Sequence, residues 1–313
     1  MRRLVFSIRI VGWLAVMIAT VWIGLRSDRA FRSRESRSRV EVRTGIDYRR
    51  VDARQPLELD LYLPPADAPR PIAGRRRPVV LMIHGGSWIG GSKRLLRPSP
   101  WQPRPTAIRL AEAGYLVVAP DYRLARPGYP SWPEPADDLR EVIRWIRRQA
   151  DELSLDPDRI AALGQSAGAH LAEILATSGE PTSRIQAAIA FQGPSNLEQL
   201  PLQRIRPLAH EPVDLLLGPS GSAREASPIH FVRSSTAPML LIHGTADLWI
   251  PILQSEAMAE ALRQSGVRHR LIRVEGARHG FEAEVGEPRR LDLLPAILDF
   301  LQDVWNASGG PHG

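Results

Sequence analysis

The sequence predicts an α/β domain in which a mostly parallel sheet is flanked by helices. Short, continuous apolar runs recur along the chain, which is typical of strands whose sheet is covered on both faces. Stretches of amphipathic helical periodicity alternate with these runs, and this alternation indicates a parallel α/β sheet. The 313 residues, 43% hydrophobic and 24% charged, are enough to bury the core of such a domain.

The first predicted element is an antiparallel hairpin at one edge of the sheet. Residues 40–48 and 57–63 have the composition of two strands, and apolar and acidic residues alternate in 57–61. A period of two indicates a strand with one buried face. We therefore expect the hairpin to flank the parallel strands.

The remaining predicted elements alternate between strand and helix. The apolar runs that predict strands are residues 79–83, 116–119, 160–163, 185–191 and 239–242, with a less apolar run at 269–274. The stretches that predict helices are residues 106–113, 135–149, 167–177, 252–264 and 291–304. Residues 194–237 are rich in proline and lack periodicity, so we expect a small insertion over the site at one end of the sheet.

The N-terminal segment differs from the rest of the chain. The basic start Met1-Arg2-Arg3 precedes sixteen uncharged residues, 10–25, and an Arg/Ser-rich stretch follows them. A membrane span needs about 20 apolar residues, so residues 1–39 are interpreted as an uncleaved anchor or a secretory signal, plus a linker. The arginines after the run favour a cytoplasmic body, whereas the signal-like start favours export, so the side of the membrane stays open. Residues 40–313 form the predicted folded domain.

The net charge of +7 does not indicate a nucleic-acid partner. Residues 1–54 carry 13 arginines and five acidic residues, so they hold all of the excess positive charge. The rest of the chain is close to neutral and has no basic stripe that could follow a phosphate backbone. Cysteine is absent, and the sequence has no cluster at metal-ligand spacing, no phosphate loop and no dinucleotide fingerprint. We therefore expect no metal and no cofactor.

A glycine-flanked serine follows the third apolar run. Gly164-Gln165-Ser166-Ala167-Gly168 joins residues 160–163 to a predicted helix, which is the arrangement of a nucleophile elbow. The two glycines remove side chains that would clash at a tight turn, and the turn lifts the Ser166 hydroxyl clear of the sheet. Ser166 is therefore the candidate nucleophile.

A serine hydroxyl needs a base to take its proton. His279, in the loop after the last predicted strand, is the candidate base, and Asp247, directly after residues 239–242, is the candidate acid. With Ser166, both follow the carboxyl ends of strands, where open α/β sheets place their sites. Asp214 is the rival acid, although no predicted strand precedes it. His84 and His243 are assigned to structure, as partners of loop carbonyls.

Backbone amides are the candidate stabilisers of an oxyanion. The amides of Gly85, Gly86 and Ala167 lie in the two glycine-rich motifs, and glycine allows a close approach to substrate. Ser87, Trp88 and Gln165 are candidate substrate contacts. Trp88 has two interpretations, since it can line the acyl pocket or pack beneath the oxyanion loop.

Several stretches carry a resemblance to a known family. They are HGGSW (84–88), DYRLA (121–125), residues 137–172 with GQSAG, ASPIHFV (226–232), HGTADLWIP (243–251) and GARHGF (276–281). With these motifs the chain resembles the α/β-hydrolase superfamily, in particular the bacterial feruloyl-esterase-like carboxylesterases close to the hormone-sensitive-lipase group.

The resemblance implies the α/β-hydrolase fold and the same roles as the reasoning from residues. Ser166 corresponds to the nucleophile, Asp247 to the acid and His279 to the base, and the oxyanion donors are Gly85, Gly86 and Ala167. Serine at 87 departs from the lipase-type HGGG motif and looks more like the feruloyl-esterase and kynurenine-formamidase branch.

The predicted function is hydrolysis of small or short-acyl carboxylic esters through an acyl-enzyme. An amidase or formamidase on the same triad is the alternative, and a non-catalytic, membrane-tethered binding module is a third class. The expected partners are a small-molecule ester and, through the N-terminal segment, a membrane. The sequence has no signal for the oligomeric state.

Overall fold

A computed structural model describes residues 39–51, 56–72, 74, 76–97, 105–200, 210–280 and 292–308. The predicted anchor or signal, with its apolar run at 10–25, lies outside these ranges. Among the helices in the described ranges, none combines the length and the apolar character needed to cross a bilayer.

The described residues form one eight-stranded sheet. Its strands are β1 (Glu41–Arg50), β2 (Pro56–Leu63), β3 (Arg77–Ile83), β4 (Leu116–Pro120), β5 (Leu155–Gln165), β6 (Ala187–Phe191), β7 (Met239–Gly244) and β8 (His269–Val274). They are ordered β1-β2-β4-β3-β5-β6-β7-β8. β1 and β2 pair antiparallel with each other, and β2 pairs antiparallel with β4. The other six strands, β3 to β8, are parallel to one another. The mostly parallel sheet and the hairpin at its edge are thus confirmed.

Helices lie between the strands as the periodicity predicts. In the described ranges they are α1 (Thr106–Glu112), α2 (Glu134–Arg148), α3 (Ala167–Ser178), α4 (His210–Leu217), α5 (Leu253–Gln264) and α6 (Leu294–Ser308). The five predicted helices correspond to α1, α2, α3, α5 and α6. Only the last is clearly displaced, since α6 extends four residues beyond the predicted end.

The sheet is covered on both faces at its centre, where the strands β3, β4, β6 and β7 are buried at every position. In β3, Val79, Leu81 and Ile83 pack into one core with residues of α2, α3 and α5. Val80 and Met82 point to the other face and pack with residues of α1 and α6. This two-sided burial explains the continuous apolar runs and places the carboxyl ends of the parallel strands along one edge.

The predicted insertion lies between β6 and β7 and contains α4; its residues 201–209 fall outside the described ranges. The Ala226 carbonyl accepts a hydrogen bond of 2.6 Å from Nε2 of His170 on α3. The backbone N–H of Asn196 donates to Oε1 of Gln254 on α5 at 2.7 Å. The insertion is therefore attached to two helices that begin at the carboxyl edge of the sheet.

Candidate active site

Ser166 occupies a strained turn between β5 and α3. Its φ of 55° and ψ of −120° lie in a region that residues with a side chain rarely adopt, at a cost of about 1–3 kcal/mol. A Cβ on Gly164 would overlap the backbone of Gly168, and a Cβ on Gly168 would overlap the carbonyls of Ile83 and His84. The local sequence thus permits a turn that brings α3 tightly against β3 and β5.

The three residues predicted from sequence converge in the structure. Nε2 of His279 lies 3.0 Å from Oγ of Ser166, and Nδ1 of His279 lies 2.7 Å from Oδ2 of Asp247. With the carboxylate accepting the Nδ1 proton, Nε2 is left to accept the serine proton. Asp214, the rival acid, is exposed on α4 instead. The arrangement can therefore generate a nucleophilic serine.

Asp247 is buried and held in its ionised form. Burial alone would raise its pKa, but hydrogen bonds from His243 and His279 outweigh burial and hold the pKa below its ordinary range. Its Oδ1 accepts the backbone N–H groups of Trp249 at 2.8 Å and Ile250 at 3.0 Å. These donors were not predicted from the sequence, although an aspartate after a strand commonly binds the backbone of its own turn.

His243 supports the same turn from beneath. Its Nε2 donates to the carbonyl of Ile250 at 2.8 Å and lies 3.4 Å from Oδ2 of Asp247, while Nδ1 pairs with the Ser255 hydroxyl at 2.7 Å. The prediction that His243 binds a loop carbonyl is confirmed. Its contact with the acid was not foreseen.

Gln192 holds the loop that carries His279. Its Nε2 donates to the carbonyl of Arg278 at 2.8 Å, and its Oε1 accepts the N–H of Gly280 at 2.9 Å. The side chain is fully buried, and the residue has a φ of 54°. It thus fixes the residues on both sides of the candidate base. The sequence offered one weak signal for this role, a polar residue directly after an apolar strand.

The predicted oxyanion loop lies directly beside the serine. A Cβ built on Gly85 would be 3.0 Å from the carbonyl oxygen of Gln165 and 3.7 Å from Cβ of Ser166. Gly86 has a φ of 126°, and a Cβ there would overlap the carbonyl of Gly90. Within the described ranges, the N–H groups of Gly86 and Ala167 have no hydrogen-bond acceptor. They are available to a negatively charged oxygen near Ser166.

The buried side chains of Tyr122 and His84 support this loop. The Tyr122 hydroxyl donates to the carbonyl of His84 at 2.9 Å, and the two rings stack at 4.2 Å. Nδ1 of His84 contacts the carbonyl of Gly85 at 2.8 Å, which agrees with the predicted structural role of His84.

A partly buried ion pair follows the same loop. Nζ of Lys93, the chain's only lysine, pairs with Asp121 at 2.6 Å. Although burial opposes it, this carboxylate raises the pKa of Lys93, so the lysine stays charged.

Trp88 is buried behind the oxyanion loop. Its Nε1 donates to Nδ1 of His170 at 3.2 Å, and the rings meet edge to face at 5.1 Å. Burial lowers the pKa of His170 to about 4, so its neutral ring can accept this bond while Nε2 donates to Ala226. Of the two interpretations of Trp88, the geometry favours packing beneath the loop.

The other two candidate substrate contacts are half-buried near the serine. Ser87 has a φ of 55° and follows Gly86 in the loop. Nε2 of Gln165 lies 3.8 Å from a Cβ built on Gly280, beside the candidate base. A contact of either residue with substrate stays a prediction.

Comparison with known proteins gives one family and a set of esterases. The sequence profile of the BD-FAE family matches residues 59–262. Esterase LipQ of Mycobacterium tuberculosis is 29% identical over 267 residues, which cover 80% of this chain and 60% of LipQ. The probable carboxylic ester hydrolase LipM of the same organism is 28% identical over 246 residues, 73% of this chain and 54% of LipM. The chain thus spans little more than half of these relatives.

Among solved structures, esterase 2 of Thermogutta terrifontis in its apo form is similar. It superimposes with a TM-score of 0.67 at 29% identity, covering 87% of this chain and 96% of that chain. Structures of that esterase have also been determined with propionate bound and after phosphorylation by paraoxon.

Proposed function

The chain belongs to the BD-FAE family, and from that membership and the geometry around Ser166 we propose that it is a serine hydrolase of carboxylic esters. The observation that carries the proposal is the continuous chain of hydrogen bonds from Asp247 through His279 to Ser166. The names of the similar proteins, esterase and carboxylic ester hydrolase, support the same reaction class.

Acylation begins when Ser166 Oγ attacks the ester carbonyl and its proton passes to Nε2 of His279. The charge that develops on the carbonyl oxygen is stabilised by the amides of Gly85, Gly86 and Ala167, each worth roughly 10²–10³ in rate. Asp247 keeps the imidazole in the required tautomer and stabilises its protonated form.

Collapse of the tetrahedral intermediate releases the alcohol, which takes the proton from His279 Nε2. A water molecule then reverses the sequence: His279 removes its proton, the hydroxide adds to the acyl carbon, and Ser166 leaves with its proton restored. We propose small or short-acyl esters as substrates, in line with the propionate bound to the Thermogutta esterase.

The proposal is tested with Ser166→Ala on p-nitrophenyl esters from acetate to palmitate. We expect kcat on the short esters to fall by roughly 10⁴–10⁶, because only the serine can form the acyl-enzyme. Ser235→Ala is the matched control, since Ser235 is exposed and precedes β7 at the opposite edge of the sheet. Paraoxon should add a phosphoryl group to Ser166 that mass spectrometry detects.

Three results would count against the proposal. Near-parental turnover by Ser166→Ala would show that Ser166 is not the nucleophile. Turnover confined to palmitate would contradict the short-acyl class. Faster hydrolysis of an N-formyl anilide than of the matched ester would show that the enzyme is a formamidase and not an esterase.

A further inference from the structure

A continuous apolar ridge follows the candidate acid. Its six residues, 248–253 (LWIPIL), contain no polar side chain. Three of the large hydrophobic side chains exposed in the described ranges belong to it: Leu248 at 62%, Trp249 at 51% and Leu253 at 69% relative exposure. Single exposed hydrophobic residues are common, but a contiguous group marks a surface that contacts another molecule.

The backbone of the ridge is held in place by hydrogen bonds to the side chains of Asp247 and His243. Oδ1 of Asp247 accepts the N–H groups of Trp249 and Ile250, and Nε2 of His243 donates to the carbonyl of Ile250. These bonds involve the main chain of the ridge, and the side chains of Leu248, Trp249 and Leu253 are exposed. A fixed apolar surface loses little conformational freedom when a ligand covers it.

The ridge borders the catalytic imidazole. The ring of Trp249 is inclined by 26° to the ring of His279, and their centroids are 6.4 Å apart. In the proposed reaction Nε2 of His279 delivers its proton to the departing alcohol. The alcohol part of the ester must therefore pass this imidazole, within reach of the exposed indole.

We propose that the ridge is the alcohol subsite and that Trp249 selects esters of apolar, above all aromatic, alcohols. This inference rests on the proposed function and adds the class of leaving group to it. The bond between the acyl carbon and the alcohol oxygen breaks, and that oxygen receives the proton from His279 Nε2. The acyl group remains on Ser166 Oγ while the alcohol leaves along the ridge.

The test compares benzyl acetate with methyl acetate in wild type and Trp249→Ala. Both esters form the same acetyl-enzyme, so the ratio of their kcat/KM values isolates the alcohol. We expect Trp249→Ala to lower the benzyl-to-methyl ratio about 10-fold, because benzyl acetate loses an aromatic contact that methyl acetate does not make. The hydrogen bonds to Asp247 survive because they come from the backbone.

Two further variants sharpen the comparison. Trp249→Phe keeps an aromatic face and should retain most of the preference for benzyl acetate. Val51→Ala is the control for loss of an exposed apolar side chain, since Val51 follows β1, six strands from β7 and roughly 25–30 Å away. It should leave the ratio unchanged.

The inference is overturned by an unchanged ratio in Trp249→Ala. It is also overturned by an equal loss on both esters, because that result would make Trp249 a support for His279 rather than a selector. If Trp249 affects hydrolysis only of esters presented in lipid vesicles, the ridge contacts a lipid surface and the inference fails. Absence of serine-dependent turnover of either ester by wild type would instead refute the proposed function, and the inference with it.

Discussion

Strained backbone is concentrated at the candidate site. In the described ranges five residues other than glycine have a positive φ, and four of them belong to the site: Ser166 and three residues near it, Ser87, Trp88 and Gln192. Such conformations cost about 1–3 kcal/mol each and persist only where the surrounding structure enforces them. The serine could be predicted because its flanking glycines show what the turn requires. Gln192 could not, since a polar residue directly after an apolar strand does not indicate which loop it holds.

Gln192→Ala is expected to impair catalysis more than binding. Loss of both amide contacts frees the residues on either side of His279, and a misplacement of the base by about 1 Å can cost roughly 100-fold in rate. We expect kcat on a short ester to fall between about 10- and 100-fold with a small change in KM, measured by steady-state kinetics. Gln264→Ala, on the exposed face of α5, is the control. Unaltered kcat in a folded Gln192→Ala protein would refute the positioning role.

The secondary-structure elements were largely predictable because burial on two faces leaves a continuous apolar signal. The exceptions have local causes. β5 begins at Leu155, five residues before the predicted start at residue 160. The earlier start was not predicted because residues 155–159 are mostly polar, and regular pairing with β3 starts only at Ile160 opposite Val79. α4 was missed because it is an eight-residue helix within a proline-rich insertion, too short to establish a period.

Gly168→Ala tests the contact between α3 and β3 on which the elbow depends. The added Cβ would overlap the carbonyls of Ile83 and His84, so the helix must move away from the strand. We expect the free energy of unfolding in urea to fall by about 3 kcal/mol or more, with loss of esterase activity. Gly90→Ala is the control for stability, because a Cβ there meets nothing closer than 3.8 Å. Equal stability of the two variants would contradict the packing argument.

At the scale of the whole molecule, the sheet separates two apolar cores and gathers the site along one edge. The sequence predicts this arrangement, but it does not show which charged groups the cores enclose. Glu173 on α3 is fully buried, and neither of its carboxyl oxygens has a hydrogen-bond partner within the described ranges, although the Ser195 hydroxyl is nearby. A Cβ on Gly193 would lie 3.0 Å from its Oε1. The burial of Glu173 depends on the loop after β6, which no pattern within α3 reveals.

Glu173 makes the stability of the whole domain depend on pH. Burial raises its pKa to about 8 from an ordinary value of 4.5, with the Ser195 hydroxyl opposing the shift in part. As pH rises above 4.5 the unfolded chain loses this proton first, so the free energy of unfolding falls until the folded-state pKa near 8 is passed. The slope approaches about 1.4 kcal/mol per pH unit for a single group.

Glu173→Gln removes this titration while it keeps the shape of the side chain. We expect its stability advantage over wild type to grow between pH 5 and 8 and to level off above, measured by urea unfolding at each pH; contributions from other groups cancel in the difference. Glu260→Gln is the contrasting control, because a hydrogen bond from Arg263 lowers the pKa of exposed Glu260 to about 2, so Glu260 is charged throughout pH 5–8 and its replacement should change stability by a small, constant amount. A constant difference between Glu173→Gln and wild type across this range would show that Glu173 is charged in the folded protein throughout, and its burial would then need a partner that the described part of the chain does not supply.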